Sequence, residues 1–273
     1  MRKLILGTGL GFDTPHVEQI RIFAELGWDG FFTGWNETEG NAEYKRTADA
    51  AGLVYQSIHA PFDRCDKLWD EGEEGDLETS RLVACIEECS RLEVPIAVLH
   101  TVIGMKKCTP TAIGSARFGK IFDRAAALGV RVALENTEGE VYLERLLADH
   151  GSHPAVGFCI DTGHEMCYNE RRDLITKYAP YLVATHLNDN LGRTGPEITY
   201  LDDSHLLPFD GIADWQSIAD RLRAAKYVGH LTFELTVRSK PGRSANDIYR
   251  GLSLRDFAKE ALTRAKKFAD LCK

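Results

Sequence analysis

Short apolar runs alternate with longer amphipathic stretches over most of the chain. Eight of the runs are continuously apolar or rich in β-branched residues, which is typical of parallel strands buried on both faces. The predicted strands lie at 3–8, 29–33, 53–58, 95–100, 130–135, 156–161, 182–187 and 230–235.

Helical periodicity fills the intervals between these runs. Pro15 and Gly27 bound the first helix, and Thr14 and Asp214 are predicted N-caps. The predicted helices are 15–26, 41–51, 77–92, 110–128, 140–149, 170–179, 214–226 and 254–271. Eight strands alternating with eight helices in 273 residues predict one (β/α)8 TIM barrel, a single α/β domain over 1–273. An open doubly wound sheet is the alternative.

Polar residues recur where the predicted strands end. A parallel barrel brings the carboxyl ends of all its strands to one mouth, where active sites form. Glu135 and Asp161 end neighbouring strands, and three carboxylates gathered there would repel one another unless they were protonated or neutralised. The strand-end residues are His59, His100, Glu135, Asp161, His186 and Glu234.

A divalent cation would resolve this repulsion, because carboxylate oxygens and imidazole nitrogens are its ordinary ligands. The pattern predicts one metal held by Glu135, Asp161, His186 and Glu234. Mn²⁺, Zn²⁺, Co²⁺ and Mg²⁺ all suit these ligands, and the histidines favour a transition metal.

Further polar residues are expected near this mouth. His164 follows in Asp161-Thr-Gly-His164, and Asp203 and His205 lie in the long loop after the seventh strand. Asp189 and Asn190 follow His186 closely and are candidates to orient a ligand or the metal ligands. The alternative is that each of these residues is an ordinary loop residue with no role at the site.

Two other loops are candidates for binding a phosphate group. The glycines of residues 7–11 lack the full dinucleotide spacing, so a tight strand-to-helix turn is favoured over a phosphate cradle. Arg238, Lys240 and Arg243 follow the eighth strand, where barrels often bind phosphate. A solvated basic loop is the competing interpretation.

Composition narrows the class of protein. The formal net charge of −8 argues against a whole-protein field for nucleic acid without excluding a local patch. Seven cysteines at scattered spacing, with Cys85 and Cys89 as predicted core residues, indicate no disulfide framework and hence a cytoplasmic protein. No apolar run is long enough to predict a membrane span.

The segments SIHAPF, VALENTEG, GFCIDTGH, THLNDN, DDSHLLPFDGIADW and TFEL, taken in this order, resemble the xylose-isomerase-like barrel superfamily. Its sugar isomerase and epimerase branch implies a divalent-metal enzyme acting on a sugar or sugar phosphate. By this resemblance Glu135 and Glu234 are metal ligands and also the catalytic acid and base, with Asp161 and His186 completing the metal site. His164, Glu138 and, more weakly, Arg193 would hold substrate hydroxyls.

The superfamily also includes endonuclease IV-type enzymes, which hydrolyse DNA at abasic sites with three zinc ions. The resemblance supplies a candidate for each of their nine ligands, so some of these residues would bind either substrate or additional metal. They are His59, His100, Glu135, Asp161, His164, His186, Asp203, His205 and Glu234. A sugar-binding relative without turnover is a third hypothesis, and a homo-oligomer is compatible with any of them.

Overall fold

Eight parallel strands form the centre of the protein. The computed structural model describes residues 2–38, 40–104 and 109–273. Every strand lies within one of the stretches predicted from the sequence or extends one residue beyond it. The strands are β1 Leu4–Gly7, β2 Gly30–Gly34, β3 Val54–His59, β4 Ile96–His100, β5 Arg131–Glu135, β6 Val156–Asp161, β7 Leu182–His186 and β8 Leu231–Phe233.

The sheet closes on itself. Each strand pairs with the next along the chain from β1 to β7, and β8 pairs with β1. A parallel bridge between Leu187 and Phe233 joins β7 to β8, with Leu187 N donating to the carbonyl of Thr232 at 2.8 Å. The barrel prediction is therefore confirmed, and the open doubly wound alternative is wrong.

Helices follow the strands as expected at most positions. Asp214 caps its helix by accepting from Ser217 N at 2.9 Å, as predicted. Over the described part of the chain, no helix combines the length and the apolarity needed to cross a bilayer. The helices are α1 His16–Leu26, α2 Ala42–Ala51, α3 Glu73–Arg91, α4 Ala112–Leu128, α5 Glu140–His150, α6 Thr162–Cys167, α7 Leu174–Lys177, α8 Trp215–Ala224 and α9 Leu254–Leu271.

Two helix predictions are wrong. The segment 170–179 is not one helix, because Glu170 and Arg171 adopt left-handed backbone angles that an α-helix excludes. The first turn after β6 is α6 instead, which starts at once because Asp161 caps it. Thr14 is not the N-cap of α1 either; Pro15 occupies that position without a side-chain cap.

The barrel interior beneath the mouth is lined by small side chains. Val98, Ala133, Cys159 and Ala184 form a buried cluster of their own. Each stands two residues before a strand-end His, Glu or Asp, so its side chain faces the same way as that polar residue. This apolar layer separates the polar mouth from the rest of the barrel.

The cysteines are consistent with the predicted lack of a disulfide framework. Six of them, including Cys85 and Cys89, are buried and unpaired. Cys108 lies outside the described residues. The glycine-rich segment 7–11 is the end of β1 and the start of a longer connection to α1, which begins at His16, rather than a tight turn. Its Leu10 carbonyl accepts from Val237 N at 2.9 Å, which ties this connection to the loop after β8.

The long loop after β7 is anchored by Asp189. This fully buried carboxylate accepts hydrogen bonds from Phe209 N and Ala213 N at 3.0 Å and from Trp215 Nε1 at 2.8 Å. Gly211 makes the approach possible, because a Cβ there would lie 2.2 Å from Asp189 Oδ1. Asp189, considered above as a residue that orients a ligand, therefore holds the loop together.

We expect Asp189→Ala to lower the free energy of unfolding by at least about 3 kcal/mol, because it leaves several buried donors without an acceptor. Asp214→Ala, which removes an exposed helix cap, should cost only about 1 kcal/mol. Urea unfolding of the two variants tests the contrast. Equal losses would show that the buried anchor is no more important than an ordinary cap.

Candidate metal centre and active site

Four side chains converge at the carboxyl end of β5 to β8. Glu135, Asp161, His186 and Glu234 each place a donor atom within 4.8 Å of the others. Glu135 and Asp161 are fully buried, whereas the side chain of Glu234 is 28% exposed. The structure thus brings together the four residues that the sequence proposed as metal ligands.

His186 lies between the two glutamates. Its Nδ1 is 2.7 Å from Glu135 Oε1 and 2.9 Å from Glu234 Oε2. One ring nitrogen carries at most one proton, so it cannot serve two carboxylates equally well. Its other nitrogen, Nε2, is buried without a hydrogen-bond partner among the described residues. Two carboxylate groups and an imidazole around one point are a set of ligands that suits a divalent cation.

The fourth member, Asp161, is oriented by its neighbours. Its Oδ1 accepts from His164 N at 2.7 Å, and its Oδ2 accepts from Asn188 Nδ2 at 2.8 Å. Asn136 holds the Asp161 backbone on both sides, accepting from its N–H at 2.7 Å and donating to its carbonyl at 2.9 Å. Gly163 leaves room for Asn188, since a Cβ there would lie 2.0 Å from Asn188 Oδ1.

Two further clusters flank these four residues. On one side, His59 Nε2 and His100 Nε2 lie 3.2 and 3.1 Å from Glu135 Oε2. On the other, His205 Nε2 and His164 Nε2 lie 2.9 and 3.4 Å from Asp203 Oδ2. All nine residues named from the resemblance therefore meet at one mouth.

Backbone carbonyls fix the direction of three of these imidazoles. Nδ1 of His59 donates to the Ala60 carbonyl at 2.7 Å, that of His164 to Asn136 at 2.9 Å, and that of His205 to Glu234 at 3.1 Å. With the proton on Nδ1, the Nε2 lone pair faces a carboxylate oxygen. Such a pair needs either a second proton or a cation between its members. His205 reaches this position through a left-handed backbone conformation, φ 48°.

The pKa shifts of these side chains point to the same need for positive charge beside the carboxylates. Burial opposes ionisation of Glu135, but His186, His100 and His59 hold its pKa well below its usual range. Burial raises the pKa of Asp161 to about 6. Burial would lower the pKa of His205, but Asp203 outweighs it and raises that pKa to about 9.

A cavity of about 410 Å³ opens above the cluster. Of the four converging residues, Glu234 lines it, and Glu135, Asp161 and His186 lie beneath. His59, His100, His164, Asp203 and His205 also line it, together with Glu138, whose Oε1 accepts from Gly104 N at 2.5 Å. The sequence had not suggested the apolar part of the wall, which comes from Phe62, Ile103, Tyr168 and Tyr200.

The three basic residues of the loop after β8 lie in different surroundings. Lys240 lines the cavity, with Nζ 3.7 Å from Asp203 Oδ2. Arg238 pairs with Asp13 at 2.6 Å and Arg243 with Asp202 at 3.0 Å, so these two guanidinium groups already have acidic partners. Arg193 is directed to Glu170, at 3.4 Å. Lys240 is thus the one residue of the three phosphate candidates that faces the cavity.

Asn188 and Asn136, which position Asp161, were missed by sequence reasoning. A signal was present in both cases. Asn136 directly follows Glu135, and Asn188 stands two residues after His186, where a strand-end side chain returns to the same face. Asn190, proposed beside Asp189, accepts from Gly192 N at 2.9 Å within its own loop.

We expect Mn²⁺ to bind with an apparent affinity that rises as the pH increases through about 6 and above, because the cation competes with protons for Asp161, whose pKa is about 6, and for His186, whose pKa lies well above its usual range. Asp161→Asn should weaken binding by more than about 100-fold. Asp214→Asn, which keeps a good helix cap, is the matched control. Equilibrium dialysis at several pH values measures Mn²⁺ binding to the unmodified protein and to the two variants. Binding that does not depend on pH, or equal affinity of the two variants, would contradict the assignment of Asp161 as a metal ligand.

Comparison with known proteins agrees with this architecture. The model of a family described as "Xylose isomerase-like TIM barrel" matches residues 20–257. An uncharacterized protein of Sinorhizobium fredii, y4fM, is 34% identical over 111 residues, which are 38% of this chain. The chain spans about a third (33%) of the length of that relative.

Solved structures share the fold at low sequence identity. A 3-keto-D-glucoside 4-epimerase from E. coli superimposes with a TM-score of 0.73 at 17% identity, covering 98% of this chain and 100% of that one. A D-psicose 3-epimerase, solved in the presence of D-fructose, gives 0.72 at 16% identity, covering 99% and 100%. Because the family model spans most of the chain, the protein belongs to the xylose isomerase-like TIM barrel family.

Proposed function

We propose that the protein is a divalent-metal-dependent isomerase or epimerase acting on a sugar or sugar phosphate. The observation that carries the proposal is the convergence of Glu135, Asp161, His186 and Glu234 at the floor of a cavity. The similar structures named as sugar epimerases support it at the level of the fold. A cation at this cluster would supply Lewis-acid polarisation of a substrate carbonyl.

Glu135 and Glu234 are the proposed proton-transfer pair. A carbon-bound proton beside a carbonyl becomes removable when a carboxylate is positioned against it. One glutamate takes that proton as a carboxylate. The other, which must first take a proton from solvent, returns a proton to the same carbon or its neighbour, so that epimerisation or isomerisation follows without net loss of atoms. Neighbouring His186 lowers the pKa of Glu234 to about 2, against the effect of burial, so Glu234 is available as the carboxylate that takes the proton.

The two glutamates differ in access. Glu234 reaches the cavity, while Glu135 lies beneath it in contact with three imidazoles. Glu135 therefore has the larger share in holding the cation, and Glu234 the freer path to substrate. His164 and Glu138, both on the cavity wall, are proposed to hold substrate hydroxyls.

We expect metal-dependent deuterium exchange from heavy water into a ketose at the carbon beside its carbonyl. Glu234→Gln should reduce the exchange rate by about 10²–10⁴ even at Mn²⁺ concentrations that saturate the weakened site, because it removes one proton carrier. Glu135→Gln should reduce exchange and metal content together. NMR follows the exchange, and Glu87→Gln, on a surface pair with Arg124, is the control.

The absence of exchange across a broad panel of ketoses and their phosphates would refute this function. Tight sugar binding without exchange would instead indicate a relative that binds sugar and does not turn it over.

A second candidate function is hydrolysis of a phosphodiester at abasic DNA sites. One observation favours it: besides the four-residue cluster, the donor atoms of His59, Glu135 and His186, and those of Asp161, His164 and His205, lie close enough together to hold a cation. Against it stand the net charge of −8 and the acidic partners of Arg238 and Arg243.

Metal stoichiometry distinguishes the two candidates. The epimerase proposal predicts one tightly bound ion per chain by elemental analysis after dialysis and no nicking of a duplex that carries one abasic site. Three ions per chain together with nicking would replace the epimerase proposal by the hydrolase.

A further inference from the structure

One buried tyrosine has a hydroxyl group that the protein itself does not bind. The buried tyrosines of the described residues are Tyr55, Tyr142, Tyr168, Tyr178, Tyr227 and Tyr249. Five of their hydroxyl groups make hydrogen bonds, among them Tyr178 to Glu140 Oε1 and Tyr227 to the His230 carbonyl, both at 2.8 Å. Over the same described residues, the hydroxyl group of Tyr168 is the exception without a partner. Because buried polar groups are normally paired, this exception calls for a partner from outside the chain.

The short helix α6 sets the position of Tyr168. Asp161 caps this helix, and His164 and Tyr168 follow at spacings of three and four residues, which places all three on one helical face. The rings of Tyr168 and His164 pack together with centroids 4.9 Å apart, and Tyr168 N donates to the His164 carbonyl at 2.7 Å. Tyr168 is therefore held on the same face of α6 as a proposed metal ligand.

Tyr168 lines the cavity of about 410 Å³ above the metal cluster. The residue is only 9% exposed, yet its hydroxyl oxygen is not among the atoms that the protein encloses without a partner. The side chain thus combines a ring packed against His164 with a hydroxyl group that a molecule in the cavity can reach.

Many of the other polar groups on this wall are acceptors. Glu138, Asp203 and Glu234 present carboxylates, which accept hydrogen bonds and donate none. His164 directs its Nδ1 to a backbone carbonyl, so that N–H group is already used. A sugar hydroxyl both donates and accepts, and one that donates to a carboxylate still needs a donor for its own oxygen. Tyr168 supplies a donor, because a phenol with a pKa of about 10 keeps its proton at neutral pH.

We propose that Tyr168 determines specificity by donating its phenolic hydrogen bond to one hydroxyl oxygen of the sugar. This inference rests on the proposed function and adds a neutral donor to the wall that carries His164 and Glu138. A site built to bind a substrate hydroxyl group discriminates against the analogue that lacks it, because its own polar group is then left unpaired. Tyr168 would thus select sugars that carry a hydroxyl group at one particular carbon.

Urea unfolding compares Tyr168→Phe with Tyr178→Phe, each of which removes one hydroxyl group from a buried tyrosine. Tyr178→Phe should lower the unfolding midpoint, because Glu140 loses a hydrogen bond. Tyr168→Phe should leave the midpoint unchanged or raise it, because no protein group loses a partner. An equal loss in the two variants would show that the Tyr168 hydroxyl group has a structural partner, and the inference would fail.

Calorimetry with Mn²⁺-loaded protein measures the binding of D-fructose, D-xylulose and their phosphates. We expect Tyr168→Phe to weaken sugar binding by about tenfold at unchanged Mn²⁺ content, and Tyr178→Phe to leave the affinity unchanged. Analogues of the bound sugar that each lack one hydroxyl group identify the contact. One of these analogues should bind the unmodified protein and Tyr168→Phe with equal affinity.

The outcomes separate this inference from the proposed function. Deuterium exchange with the same kcat/KM in the unmodified protein and in Tyr168→Phe would overturn the inference and leave the isomerase or epimerase function standing. Sugar binding that Tyr168→Phe weakens, without any exchange, would overturn that function and support the tyrosine as a sugar contact. Neither binding nor exchange with any of these sugars would overturn both.

Discussion

Negative charge gathered at the mouth of the barrel is the constraint on which the rest of the site depends. Eight parallel strands that close into a ring bring the residues at their carboxyl ends into a small area, and three of these are the carboxylates Glu135, Asp161 and, one residue beyond β8, Glu234. Such a group is stable only with positive charge among its members. The surrounding imidazoles supply part of it, and the four donor groups of Glu135, Asp161, His186 and Glu234 are close enough together to suit a divalent cation.

The imidazoles are themselves held by the backbone. Carbonyl oxygens of Ala60, Asn136 and Glu234 each take an Nδ1 proton, and each of these carbonyls belongs to a strand end or to the residue next to one. The backbone of the barrel thus orients one nitrogen of each of these three histidines, and carboxylates contact the other. The layer of Val98, Ala133, Cys159 and Ala184 below keeps the polar groups at the rim, since its small side chains offer no donor in the interior.

The fold and the cluster could be predicted from the sequence because both follow from periodicity. Alternation of strand and helix identifies the barrel, and a polar residue closing an apolar run is brought to the mouth by the topology alone. The role of Asp189 could not be predicted, because its partners at 209, 213 and 215 are defined by the path of a loop. The apolar part of the cavity wall was missed for the same reason: Ile103 and Tyr200 are 97 positions apart and carry no periodic signal. The prediction of one helix over 170–179 was wrong because two residues with left-handed backbone angles interrupt the helical pattern.

Backbone hydrogen bonds join the two ends of the loop after β7. Asp189 and Leu206 exchange backbone hydrogen bonds of 2.9 and 2.8 Å, so residues 190–205 leave the barrel and return to it at one point. Tyr200, Asp203 and His205 all lie in this segment, while the Asp189 carboxylate secures these ends from below. A loop with fixed and adjacent ends tolerates changes of length and sequence at small cost to the domain. Residues 190–205 can therefore change in length and sequence independently of the strand-end residues that gather the charge, although such a change would also replace Asp203 and His205.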